Sequence, residues 1–303
     1  MTGRNGGTCY GFSVGPVLPF AFVRDGAGEP LDVRIGAPAG FSDAGALVRE
    51  WRVEGPEPFF AGLYEDGDGY KLWADDSGWF EIGTSPARIS LPSDGNQVKR
   101  EERLWSIPAL LCFRARGDAP LHAAAIDVGG TAFLIAAPGR FGKTTMAAGF
   151  AQAGYRLLSE DLCCIRLGEE CATIPGPAML RIRADVADQL EIPNATVLDA
   201  GDARLHLALD PAQRGDCSPV PIRAVVFLQG GSDSISLQPA DASETLRNLF
   251  ALIFRLPGTT ETERAFTAAA TISAQVPGWT LSYPYGLDVL GHVVDTLVNR
   301  LAD

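Results

Sequence analysis

Histidine and methionine are scarce in this chain of 303 residues, with three of each, and basic residues are outnumbered, 25 Lys and Arg against 37 Asp and Glu. The resulting formal net charge of −12 argues against broad electrostatic attraction to nucleic acid or to an anionic membrane surface. No apolar run reaches the roughly 18–20 residues that a spanning helix needs. The six cysteines, at 9, 112, 163, 164, 171 and 217, form no CxxC pair and no metal-ligand spacing with the histidines. The opening residues, Met1-Thr2-Gly3-Arg4-Asn5-Gly6-Gly7, lack the apolar stretch of a secretion signal. A reduced, cytoplasmic protein with neither nucleic-acid nor membrane partners is the expectation.

What is present is an ordinary globular composition, 46% hydrophobic and 20% charged, on a chain long enough for one large domain or two. Residues 8–100 are dense in Gly, Pro and aromatics, and short alternating segments at 59–64, 70–74, 79–82 and 88–91 predict a β-meander. Glu65-Asp66-Gly67-Asp68-Gly69 has hairpin chemistry; as a calcium loop it lacks the third oxygen ligand and the distal glutamate. Residues 101–116 have helical spacing, with Pro108 placed to divide the run. The pattern changes there, which predicts an N-terminal β-rich domain over 1–100 and a second domain over 101–303.

From Leu121 strands alternate with helices. Residues 122–128 and 131–136 predict two strands joined by Gly129-Gly130. The second strand feeds Ala137-Pro138-Gly139-Arg140-Phe141-Gly142-Lys143-Thr144-Thr145, which opens a helix that Gly154 ends. Strand, glycine-bearing turn, Gly-Lys-Thr and helix make the context of a phosphate-binding loop. Backbone N–H groups and the positive helix end cradle phosphate oxygens there. Lys143 then reaches the outer phosphates, the Thr144 hydroxyl ligates Mg²⁺, and Arg140 is placed to neutralise phosphate charge. The strict pattern starts with Gly, where this chain has Ala137; a negative φ there would tolerate the change.

A short strand at 156–159 follows the helix and ends in Glu160-Asp161. Ligands of open α/β sheets bind at the carboxyl ends of strands, so both carboxylates are expected beside the metal and the terminal phosphate. One of them holds the metal, with Asp161 a candidate beside Thr144; the other, Glu160 or Asp161, takes the proton of an attacking hydroxyl. His122 is expected near the loop's mouth if the two strands pair as a hairpin. Arg181, Arg183 and Arg204 are further candidates for gripping a phosphate or an acidic peptide. His206 and His292 have no companions in the sequence and are expected to be structural or exposed.

Leu121-His122-Ala123, the loop, and Tyr155-Arg156-Leu157-Leu158-Ser159-Glu160-Asp161 together resemble the HPr kinase/phosphorylase catalytic domain. The likeness is in motif over about residues 120–170 and weaker beyond. It implies an α/β fold, a P-loop kinase core of the HPr kinase/PEP carboxykinase type, using ATP and Mg²⁺ to phosphorylate a serine hydroxyl of a protein or peptide. Lys143 and Thr144 match the family's nucleotide residues, His122 its histidine, and Glu160-Asp161 its Asp-Asp pair, with Glu in place of the first Asp. The layout is similar to the shorter HPr-kinase-like proteins that accompany lasso-peptide biosynthesis and phosphorylate the precursor's C-terminal serine. The resemblance also raises self-association as a homo-oligomer, and the absence of the family's phosphorylase signature implies no reverse reaction. A kinase acting on a small-metabolite hydroxyl and a non-catalytic ATP-binding regulatory protein are the alternatives.

Overall fold

The computed structural model describes residues 6–36, 45–54, 58–139, 141–199, 204–210 and 215–302. Its first part is built from strands: β1 (Gly7–Cys9), β2 (Phe12–Val14), β3 (Glu29–Pro30), β4 (Asp32–Ile35), β5 (Ala46–Val53), β6 (Phe59–Asp66), β7 (Gly69–Ala74), β8 (Gly78–Thr84) and β9 (Ala87–Leu91). The last six form one sheet in the order β4-β9-β8-β7-β6-β5. The acidic-glycine segment is its β6–β7 turn, where Gly67 has φ +58° and Asp66 ion-pairs with Lys71 at 3.0 Å.

Helices α1 (Gln97–Leu104) and α2 (Ile107–Ala115) follow. Asn96 caps α1, its side chain accepting from the N–H groups of Val98 and Lys99. The break falls at Trp105-Ser106, and Pro108 lies in the first turn of α2, where its missing N–H costs nothing. Leu104, Trp105, Leu110, Leu111 and Phe113 pack into a core shared with Phe12, Phe20, Leu63, Leu72 and Phe80.

The remaining elements are β10 (Ala119–Leu121), β11 (Ala123–Val128), β12 (Thr131–Ala136), α3 (Lys143–Gln152), β13 (Arg156–Ser159), β14 (Cys163–Arg166), β15 (Ala172–Ile174), β16 (Met179–Arg183), α4 (Ala184–Ala187), β17 (Thr196–Asp199), β18 (Arg204–Ala208), β19 (Val220–Gly230), β20 (Ser236–Pro239), α5 (Ala242–Leu252), α6 (Thr259–Gln275), β21 (Gly278–Tyr283) and α7 (Leu290–Leu301). This is a mixed α/β architecture. The central sheet runs β10-β14-β15-β19-β12-β11-β13, with β21 on β19 and β20 on β21. Its strands are nearly all apolar because both faces are covered. One face packs Ile126, Ile135 and Val226 against Met146 and Phe150 of α3 and Val293 and Leu297 of α7. The other packs Ala125, Leu134 and Val225 against Leu249 of α5 and Ala265, Ala269 and Ile272 of α6.

One irregularity of this sheet positions the site. β10 and β11 are separated only by His122, and β13 and β14 only by residues 160–162. Leu121 pairs with Cys163 and Ala125 with Ser159, so both breaks interrupt a single antiparallel register at the same level. The ladder opens there, and His122, Glu160 and Asp161 occupy the opening. Arg24, fully buried, supports it from below by donating to the carbonyls of Leu157 (2.8 Å), Leu158 (3.0 Å) and Gly176 (2.7 Å). Among the described residues no helix is long and apolar enough to cross a membrane.

Candidate functional site

The β11–β12 hairpin forms in the expected register, Ala123 opposite Ala136, which brings His122 to the start of the 137–142 loop. Ala137 is buried, and it is not one of the two described non-glycine residues with positive φ, which are Tyr10 and Asn194. Alanine is therefore accommodated at the place where the strict motif has glycine. Gly142 is different. Its φ is +87°, and a Cβ there would sit 2.9 Å from the Tyr283 hydroxyl, so the backbone and its neighbour both require glycine. Pro138 and Gly139 complete the described part of the loop, Phe141 is exposed, and Arg140 lies outside the described residues.

Helix α3 begins with neither a capping side chain nor an acidic residue in its first turn. The N–H groups of Lys143, Thr144, Thr145 and Met146 stand in the turn that has no preceding helical carbonyls; Met146 is satisfied by the Gly142 carbonyl at 2.9 Å. A helix start of this kind, following a glycine turn, favours an anion.

Lys143 is only 4% exposed, yet its Nζ is ringed by acceptors. It donates to the carbonyls of Ala137 (3.0 Å) and Pro138 (3.3 Å), lies 2.8 Å from His122 Nε2 and 3.8 Å from Asp161 Oδ1. Burial lowers its pKa, and the Asp161 and Glu160 charges oppose that shift. An ammonium has no lone pair, so Nε2 of His122 accepts and the ring proton sits on Nδ1. From there it points to the Asp161 carbonyl at 3.2 Å, with Asp161 Oδ1 at 3.5 Å. Burial likewise depresses the histidine's pKa, with Asp161 acting against it and Lys143 adding to it. His122 thus stands neutral, holding Lys143 on one side and the Asp161 backbone on the other.

The two carboxylates differ. Glu160 is buried and accepts the Thr144 hydroxyl at 2.5 Å, whereas the Asp161 side chain is 56% exposed. Burial, then the neighbouring Asp161 charge, lifts Glu160 from an ordinary 4.5 to about 7, against the pull of Arg181. A carboxyl that holds its proton more tightly folded than unfolded stabilises the fold below about pH 4.5 and loses that contribution as pH rises to about 7. Glu160→Gln keeps the acceptor for Thr144 and removes the titration. Its melting temperature, relative to the parent, is expected to climb between about pH 5 and about pH 7 and then level off. Thermal melts without nucleotide or divalent cation test this; parallel curves would refute it.

Arg181 belongs to a cluster that sequence spacing did not reveal. Its guanidinium binds Glu102 of α1 at 2.6 Å, and the other Glu102 oxygen lies 2.6 Å from Nε2 of His206. Burial alone would raise Glu102; the His206 hydrogen bond and the Arg181 and Arg103 charges outweigh it and bring the carboxyl to about 2. His206 is therefore a buried, partnered residue, and His292 is exposed. Arg183 pairs with Asp185 at the surface and lies opposite Arg204 in the β16–β18 ladder. The signal for the cluster lay in long-range packing: Glu102 and His206 are 104 residues apart.

The structure therefore brings together His122, the loop, Lys143, Thr144, Glu160 and Asp161. A hydroxyl and two carboxylates are hard oxygen donors suited to Mg²⁺, which keeps few protein ligands and takes the rest from phosphate and water. No group of three or more His, Cys, Asp or Glu residues placed for a metal occurs among the described residues. The uncapped start of α3 and the Lys143 ammonium beside it have the chemistry that an anion such as a phosphate requires. The open cleft lined by Arg52, Phe59, Phe60 and Asp75 contains none of these residues.

No protein-family model matches the sequence, and no curated protein matches it. Among solved structures, the HPr(Ser) kinase/phosphatase from Coxiella burnetii aligns with 60% of this chain and 94% of its own, at 10% identity and a TM-score of 0.33.

Proposed function

We propose that the protein is an ATP-dependent kinase that phosphorylates a Ser or Thr hydroxyl of a peptide or small protein, the C-terminal serine of a lasso-peptide precursor being the acceptor that the sequence resemblance suggests. The observation that carries this reading is the meeting of Lys143 and Thr144, at the start of α3, with Glu160 and Asp161 at the opened ladder. Bound Mg·ATP supplies the transferable phosphoryl group and its cation. The loop backbone and the α3 N-terminus bind the phosphates, and Lys143 balances the charge that grows on the transferred group.

The placement of the carboxylates supports one of the two divisions of labour that the sequence left open. Glu160, buried and bonded to Thr144, faces the metal side. Asp161, exposed beside Lys143, is open to an acceptor and takes the hydroxyl proton as the oxygen attacks phosphorus. His122 keeps Lys143 in place. Residues 1–100 supply acceptor recognition in this scheme.

Incubation with Mg·ATP and peptides ending in serine, followed by mass spectrometry, tests the proposal. Phosphate on the serine peptide is the expected result. Phosphate only on free serine or a sugar alcohol would transfer the reading to a metabolite kinase. ATP binding with no phosphoproduct on any acceptor would replace it with a nucleotide-binding regulator.

A further inference from the structure

We infer that Tyr285, seated on Gly230 and Gly231 beside the phosphate loop, is the platform on which the base of the bound nucleotide stacks. The inference rests on the nucleotide reading above and deepens it.

Topology brings the pieces together. β12, β19 and β21 are adjacent and parallel, so their carboxyl ends share one edge of the sheet, the edge where α/β sheets bind ligands. β12 ends at Ala136 opposite Phe227, and β19 continues three residues further to Gly230, opposite Tyr283. The ends of β19 and β21 therefore extend about 10 Å past the end of β12, alongside the loop that follows it. Contact is direct: the Tyr283 hydroxyl closes against Gly142, 2.9 Å from where a Cβ would stand. Two strand spacings, also about 10 Å, separate β12 from β21, a span that a nucleoside triphosphate covers between phosphate and base.

At the end of β21 the chain presents Tyr285. A Cβ on Gly230 would lie 2.4 Å from its Cε1, and one on Gly231 would lie 3.3 Å from its Cε2. Both ring edges thus rest over glycine backbone, which leaves no room for any side chain beneath. The tyrosine is nevertheless 77% exposed, and Phe141 on the loop is 50% exposed. A large aromatic ring supported from below and open above is poorly explained by core packing. It offers a π-face, already oriented, next to a phosphate site. Every nucleobase has a matching face, so stacking gives affinity with little choice among bases.

The test is calorimetric titration of the full chain with Mg·ATP, Mg·GTP and Mg-bound inorganic triphosphate, comparing the parent with Tyr285→Ala and Tyr285→Phe. Tyr285→Ala is expected to bind both nucleotides about tenfold more weakly or worse while its affinity for triphosphate stays unchanged. Tyr285→Phe is expected to match the parent. Unchanged ATP affinity in Tyr285→Ala, or an equal loss for ATP and triphosphate, would overturn the inference and leave the phosphate-loop reading intact. Failure of the parent chain to bind either ligand would overturn both.

Discussion

Lys143→Ala is expected to lower phosphoryl transfer by about 10²–10³-fold or more, the usual cost of removing a preorganised charge from the transferred group. The lysine's position makes a small effect improbable on physical grounds. Its ammonium is buried, and three acceptors within 3.3 Å fix it against the loop it serves. Water entering the vacated space can satisfy the acceptors but carries no charge to set against a phosphate. Truncation also leaves the Ala137 and Pro138 carbonyls without their donor, so the loop loses shape as well as charge. The fold is expected to survive, since unpairing groups of this kind costs about 1–3 kcal/mol each at most and the surrounding core is apolar on both faces of the sheet. Measured together, the transfer rate, ATP affinity and melting temperature separate these effects. Full activity in a folded variant would refute the mechanism.

The second large effect concerns the exposed carboxylate. Asp161→Asn is expected to slow transfer by about 10²–10⁴-fold, the range for loss of a general base, while ATP affinity changes only a few-fold. Glu160→Gln, by contrast, is expected to raise the magnesium concentration needed for half-maximal rate, because it removes a carboxylate from the Thr144 side. Single-turnover transfer over a magnesium titration distinguishes the two. An active Asp161→Asn, together with a dead Glu160→Gln of normal magnesium dependence, would reverse the roles.

Much of the central architecture was legible because its signals are local. Residues 132–136 are apolar throughout, Gly129-Gly130 supplies the two positive φ angles of the hairpin turn, and Gly142 precedes Lys143 at the helix start. Helix α6 was not legible. Its buried face consists of Ala265, Ala268, Ala269 and Ile272, and alanine makes too weak a hydrophobic stripe to betray a helical period. The contrast between Glu160 and Asp161 was hidden for another reason. Neighbours in sequence acquire opposite environments from partners elsewhere in the chain, Thr144 and the Arg181 charge at Glu160, His122 and Lys143 at Asp161. His206 illustrates the same point, since a lone histidine in sequence finds its carboxylate only in three dimensions.

The segment around residues 20–24 has a mechanical implication. Glu101 of α1 accepts from the N–H groups of Ala21 and Phe22 at 2.6 and 2.8 Å, and two residues later Arg24 grips the carbonyls just ahead of Glu160. This short stretch acts as a brace between the N-terminal helices and the turn that bears the carboxylates. A proteolytic nick in it, or excision of the chain before α1, would strip hydrogen-bond donors from beneath that turn. Load placed on the N-terminal strands has, by the same route, a path to Glu160 and Asp161.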